Sequence, residues 1–281
     1  MLRAGMGSVA VSVVTVTNRP GSIDVTWSAL ESQRLQDFEW VLCDELYSWR
    51  RDEVAAAVAD CRLRHVPAPV VEDDLWNLNK SYNEALRHCS GLLVVSLQDY
   101  IWVPPDGLQR FWDLFCEHGP RLFASGVGHA YRPPPARDPR GKVTIFERPW
   151  SAGAAAEHEW VRTGTDVRHP DDDGGLVDCG PDGWELNWGA APLEAFYEIG
   201  GFPEDHDRRF VSCDNLSVAY AAESRDYRFL LDRGNECRIL DHREVFARDG
   251  WEERHGKRGE WRQWLDEWTA RGRPAFPYLV R

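Results

Sequence analysis

The sequence predicts an α/β protein built on a mostly parallel sheet flanked by helices. Three observations predict it. Val9–Thr17 is a nearly continuous β-branched run, the pattern of a strand buried on both faces. Short apolar runs then alternate with segments of helical periodicity, as βαβ units do. The chain has 281 residues, 43% hydrophobic and 28% charged, enough for a sizeable core and incompatible with disorder throughout.

The elements follow in order. The first strand ends at Asn18-Arg19-Pro20-Gly21, a turn cluster. Ser22 can cap a helix whose Ile23, Trp27 and Leu30 repeat at i, i+4, i+7. A second strand, Phe38–Cys43, ends at Asp44-Glu45; a helix fits 51–61 and a short strand 63–66. In the helix 79–89, Tyr82, Ala85, Leu86 and Cys89 share one face, while Asn79, Asn83 and Arg87 share another. Leu92–Leu97 is the fourth strand, followed at once by Gln98-Asp99-Tyr100. A helix from 105 to 118 and a strand over 122–127 complete the regular part, with right-handed crossovers expected.

From His129 to Gly183 the pattern breaks into a long insertion loop, punctuated by Pro133-Pro134-Pro135 and Asp171–Gly175, with a short strand pair expected around 143–146. The loop's first half is basic, with Arg132, Arg137, Arg140, Lys142 and Arg148, and reads as a solvated loop. The run Asp171–Asp173 has no strand before it and reads as a solvated acidic loop rather than a metal motif. Order resumes at Trp184–Trp188, then a helix 192–199 stopped by Gly200-Gly201, a helix 214–224 and strands 227–231 and 236–240. A C-terminal helix, 259–271, carries Trp261, Trp264, Leu265 and Trp268 at helical spacing.

Charge and composition bound the function. The formal net charge of −13 disfavours nucleic acid as a partner, because phosphate neutralisation needs a basic surface. The longest apolar run, Val9–Val16, is far short of the ~20 residues that span a bilayer. No signal peptide is read at the N-terminus. Seven scattered cysteines without a CxxC pair read as mostly buried free thiols of a reducing compartment, so a cytoplasmic location is expected. The 14 tryptophans read first as core packing, and their flat rings also hint at a carbohydrate or nucleotide ligand.

In an open α/β sheet, ligands bind outside the carboxyl ends of the strands. Those ends deliver Thr17, Asn18 and Arg19, then Asp44, then Gln98 and Asp99, with the polar face of helix 79–89 nearby. Neither a GxGxxG fingerprint nor a P-loop occurs.

The segments 11–20 (VSVVTVTNRP), 38–44 (FEWVLCD), 79–86 (NKSYNEAL), 92–99 (LLVVSLQD), 200–202 (GGF) and 214–220 (DNLSVAY) resemble, in order and spacing, the blocks of family 2 glycosyltransferases with the GT-A fold. The resemblance covers roughly residues 9 to 243. It implies a nucleoside diphosphate sugar donor, UDP-linked, and transfer with inversion to an acceptor hydroxyl on a glycan, small molecule, protein or lipid-linked sugar. It divides the chain into a donor half (1–105), an acceptor and catalytic half (106–245, with the insertion 129–183) and a helical tail (246–281).

By position, the resemblance implies that Thr17, Asn18 and Arg19 line the nucleotide and Asp44 accepts from the base. Asn79 and Asn83 would lie by the ribose and diphosphate, beside Gln98 and Asp99, and Trp188 would stack on a sugar ring or anchor the sheet. Asp214 would be the general base, a role compatible with capping the helix that it starts. A divalent ion, Mn²⁺ or Mg²⁺, would sit on Asp99 with His242, since hard ions take oxygen ligands and an imidazole favours Mn²⁺. The family's acidic motif normally holds two or three carboxylates; here Asp99 stands between Gln98 and Tyr100. That departure opens a second reading, a catalytically degenerate module that binds a sugar nucleotide or glycan. A nucleotidyltransferase is a third, disfavoured because Thr17–Pro20 stands where a Gly-rich basic loop is needed.

Overall fold

The computed structural model describes residues 9–19, 21, 23–70, 77–132, 161–168, 174–209, 214–240 and 258–281. The first half alternates β1 (Val11–Thr17), α1 (Ile23–Glu31), β2 (Phe38–Asp44), α2 (Tyr47–Val58), β3 (Leu63–Pro67), α3 (Leu78–Arg87) and β4 (Leu93–Leu97). Then come β5 (Ile101–Trp102), α4 (Gly107–His118), β6 (Leu122–Arg132), β7 (Val161–Gly164), β8 (Leu176–Asp178) and β9 (Trp188–Pro192). The chain closes with α5 (Leu193–Ile199), α6 (His206–Arg209), α7 (Asp214–Glu223), β10 (Arg228–Leu240) and α8 (Arg258–Ala270).

These strands form one sheet in the order β3-β2-β1-β4-β9-β6-β10-β5, with β7 on β6 and β8 on β10. Strands β1 to β4 pair in parallel, and β10 runs parallel to β6. Between them β9 runs antiparallel to both β4 and β6. The sheet is therefore mixed and mostly parallel, as expected.

Strand parity explains the two layers. Every residue of β1 and β2 is buried, because both faces are covered. Val11 and Val13 point to one face, where α1, α2 and α4 supply Ile23, Trp27, Leu30, Val54, Leu108 and Phe111. Val14 and Val16 point to the other, where α3, α5, α7 and α8 supply Tyr82, Leu86, Phe196, Val218, Trp261 and Leu265. The C-terminal helix thus joins the core, and the chain beyond it straps the Gly200-Gly201 turn. Phe276 N–H donates to Ile199 O (2.7 Å), and Leu279 N–H donates to Gly200 O (2.9 Å). Gly200 is at φ +85°, and a Cβ there would fall 1.7 Å from Phe276 O, so only glycine fits.

The structure departs from the sequence reading in four places. Strand β9 occupies the centre of the sheet, where only an ordered segment and a helix start were expected. β6 runs on through Arg132, into what was read as loop, and pairs there with β7. The two strands expected at 227–231 and 236–240 are one strand, β10, with a register shift between Leu231 and Glu236. Of the six described cysteines, all free, only Cys43 and Cys237 are buried; Cys61 and Cys116 are exposed. The strand pair expected at 143–146 lies outside the described residues.

Candidate functional site

Parallel pairing brings β1 beside both β2 and β4, so the carboxyl ends of three neighbouring strands deliver Thr17–Arg19, Asp44 and Asp99 to one edge. Asp99 is the centre of the first constellation. Its Oδ2 accepts from the Thr17 hydroxyl (2.6 Å), and its Oδ1 accepts from Arg19 Nη1 (2.5 Å). The Asp99 side chain is 1% exposed and that of Arg19 is 8% exposed. Thr17 Oγ1 also accepts from Arg19 N–H (3.1 Å), which fixes the turn that carries the guanidinium. The guanidinium lies 5.0 Å over the Tyr100 ring. Tyr100 in turn donates its hydroxyl to Asn187 Oδ1 (3.0 Å), and burial pushes its phenol pKa up, so it stays a donor. Both members of the Asp99-Tyr100 pair therefore hold Arg19.

Asp44 is the centre of the second. Its Oδ1 accepts from Leu46 N–H (2.8 Å) and Arg50 Nη2 (2.8 Å). Its Oδ2 accepts from Arg50 Nε (2.7 Å) and pairs with His65 Nε2 (2.8 Å). Four hydrogen bonds, from three residues, fill the carboxylate's acceptor positions. The expectation that Asp44 accepts from a nucleotide base is thereby corrected: the carboxylate is 1% exposed and already satisfied. Burial pushes its pKa up, but the bonds from His65 and Arg50 and the Arg50 charge outweigh it and leave the pKa below the ordinary value. The two constellations are joined, because Arg50 Nη1 donates to the Arg19 carbonyl (2.7 Å).

Asn18 continues β1 and is 7% exposed. Its Oδ1 is buried without a hydrogen-bond partner among the described residues. Asn79 is the second residue of α3, and its backbone N–H and side-chain amide both donate to Asp207 Oδ1 (2.8 Å each), while its Oδ1 has no partner among the described residues. Asn83 is fully buried. Its amide donates to Phe202 O and Glu204 Oε1 (2.9 Å each), and its Oδ1 accepts from Phe202 N–H (2.7 Å). It latches the Gly-Gly-Phe turn onto α3, so its expected place by a ribose is corrected to a link between two elements. Gln98, half-buried, ends β4 with its N–H on Asn187 O (3.3 Å).

Trp188 is also corrected. It is 1% exposed, donates to Asn235 Oδ1 (3.0 Å) and packs against Phe111 with ring centroids 4.8 Å apart. No sugar ring reaches it; it anchors the sheet on α4. The side chain of Asp214, the first residue of α7, and the whole of His242 lie outside the described residues.

A divalent ion was expected on Asp99, and the described donors do not fit one. The carboxylate already holds a guanidinium, and a second cation on it would be repelled. Gln98 and Tyr100 add no negative charge, and among the described residues no three His, Cys, Asp or Glu side chains converge on one point. Sequence reasoning passed over Arg50, Tyr100 and Asn187 as members of the site. Tyr100 could have been found as the neighbour of Asp99, but Arg50 and Asn187 arrive only through tertiary contacts.

No protein-family model matches the chain, and no curated sequence does. Solved structures do match. GalNAc-T7 with UDP, GalNAc and Mn²⁺ superposes at a TM-score of 0.59 and 12% identity, over 85% of this chain and 45% of that one. The mannosyltransferase PcManGT from Pyrobaculum calidifontis, in complex with GDP-Man and Mn²⁺, superposes at 0.57 and 17% identity, over 90% of this chain and 62% of that one. This chain has a GT-A glycosyltransferase-like fold. It spans roughly half to three-fifths of the length of these neighbours. The GT-A sheet places the Thr17–Arg19 turn and Asp99 at the carboxyl ends of adjacent parallel strands, where an α/β sheet takes its ligands. No helix among the described residues is long and apolar enough to cross a membrane.

Proposed function

We propose that this chain is a glycosyltransferase that moves a sugar from a nucleoside diphosphate sugar, UDP-linked, to an acceptor hydroxyl with inversion. The observation that carries the reading is the buried Thr17–Arg19–Asp99 constellation at the ends of β1 and β4 in a GT-A sheet. Asn18 supports it: an unpartnered buried acceptor costs about 1–3 kcal/mol, which a ligand hydroxyl recovers. The donor diphosphate lies beside Arg19 and the N-terminus of α1, whose first turns follow directly. Asp44 serves by holding Arg50 against the Arg19 carbonyl.

In the transfer, the acceptor oxygen forms a bond to the anomeric carbon while the bond from that carbon to the diphosphate oxygen breaks. The nucleoside diphosphate departs with the electron pair, and Asp214 takes the acceptor proton. The expected ion on Asp99 and His242 is not carried into this sequence of events, because Arg19 already occupies the carboxylate. The acceptor is a glycan, small molecule, protein or lipid-linked sugar.

The test is release of nucleoside diphosphate from UDP- and GDP-linked sugars, measured with candidate acceptors, for the wild-type chain and Asp214→Asn. The reading expects release from one donor and its loss in the variant. Donor binding without release from any donor favours the degenerate binding module, for which the single carboxylate between Gln98 and Tyr100 already speaks.

A further inference from the structure

We infer that Arg19 is the resident counter-cation of this site, so that the chain binds its donor diphosphate without a divalent ion. The inference rests on the donor reading above. Three features carry it. Asp99, the carboxylate at the ion's expected place, is committed to Arg19 by a buried pair at 2.5 Å and to Thr17 at 2.6 Å. Tyr100, which follows it where a further carboxylate would add charge, instead places its ring under the same guanidinium at 5.0 Å. The Arg19 backbone is pinned from both directions, by Thr17 Oγ1 on its N–H and by Arg50 on its carbonyl. A cation fixed by this many contacts is preorganised and costs little further entropy on binding.

The chemistry suits a diphosphate. A guanidinium carries five N–H groups in a planar fork and pairs well with phosphate oxygens. A divalent ion on Asp99 would share the carboxylate with the Arg19 guanidinium and be repelled by it. Among the described residues no group of three or more His, Cys, Asp or Glu side chains is placed to hold such an ion. Binding of the diphosphate therefore falls to Arg19 and the start of α1.

The experiment measures dissociation constants of UDP, GDP and inorganic pyrophosphate calorimetrically, in EDTA and in Mn²⁺. The proteins are the wild type, Arg19→Gln, and the double variant Arg19→Gln with Asp99→Asn. The double variant keeps the shape of the pair without a lone buried charge, so it stays informative where the single variant unfolds. The wild type is expected to bind one nucleotide equally, within about threefold, in EDTA and in Mn²⁺, and removal of Arg19 to weaken it about tenfold to a hundredfold in both. Wild-type binding that needs Mn²⁺ overturns the assignment of Arg19 and leaves the donor reading standing. So does a double variant that binds as tightly as wild type in EDTA. Absence of nucleotide binding in every arm overturns the donor reading itself, and this inference falls with it.

Discussion

Two carboxylates stand at the ends of β2 and β4, the strands on either side of β1, each gripped by an arginine, and their surroundings differ. Around Asp44 the grip is closed. The side chains of Asp44 and Arg50 are 0% exposed, four hydrogen bonds meet the carboxylate, and the arginine comes from the helix that follows. Around Asp99 the grip is lighter, with one side-chain donor on each oxygen, and its arginine sits on the turn between β1 and α1. The first arrangement is a structural rivet. The second holds a buried arginine on the turn where the proposed donor site begins. The residue type and its place at a strand end are the same in both; the number of hydrogen bonds on the carboxylate separates them.

The largest effects test whether that distinction is real. Asp44→Asn leaves Arg50 buried without its charge partner and is expected to cost about 3–5 kcal/mol in urea unfolding. Asp99→Asn is expected to cost less, about 1–3 kcal/mol, because Arg19 keeps the Tyr100 ring beneath it. Equal losses in the two variants would break the comparison.

Acid separates buried groups by window. His206, 0% exposed, has its pKa lowered by burial to about 4, with Asp205 opposing and Arg209 adding to the shift. Between pH 6.5 and about 4 the unfolded chain takes up a proton that the folded chain refuses. Stability therefore falls as pH drops through that range, by up to about 1.4 kcal/mol per pH unit. The contribution of Asp44, whose pKa is lowered, is present above the ordinary carboxylate value of 3.8 and is lost only as pH falls below it. Urea midpoints at pH 7, 5.5 and 4 for wild type and His206→Gln check this: the variant is expected to lose the upper slope and keep the acid one.

Smaller effects sharpen the boundary between rivet and site. Asn83→Ala removes both sides of the latch on Phe202, with an expected loss of about 2 kcal/mol in urea unfolding and no loss of diphosphate affinity in calorimetry. Trp188→Phe removes the bond to Asn235 and part of a buried indole, and is expected to cost about 2–3 kcal/mol, with donor affinity unchanged. A selective loss of donor affinity in either variant would return that residue to the site.

The parts of the fold that were legible in sequence are those whose local pattern agrees with their tertiary role. β1 reads as buried on both faces because seven consecutive residues are apolar or small and β-branched in the main, and all seven are buried. β9 was not legible because Trp-Gly-Ala-Ala-Pro has little intrinsic strand preference; its two neighbours, β4 and β6, make it a strand. β10 was split in reading by Asp232–Asn235, polar residues that the register shift takes up without ending the strand. The strand-end rule named Thr17, Arg19 and Asp99, and these three meet on the Asp99 carboxylate. It could not foresee that Arg50, six residues beyond Asp44, would turn back and close that carboxylate, nor that Trp188 would point to the α4 face. Those facts belong to side-chain direction and partner count, which no spacing along the chain records.

The N-terminus of α3 has a consequence for how the protein is made. Its cap is Asp207, which takes the N–H groups of Asn79 and Lys80 from 128 and 127 residues further along the chain. β9, the seam between β4 and β6, is likewise made after both. At about 5–20 residues per second, a ribosome holds the first half for many seconds before these pieces emerge. During that time the edge of β4 is open, so the nascent chain depends on chaperones, or on speed, until its second half arrives.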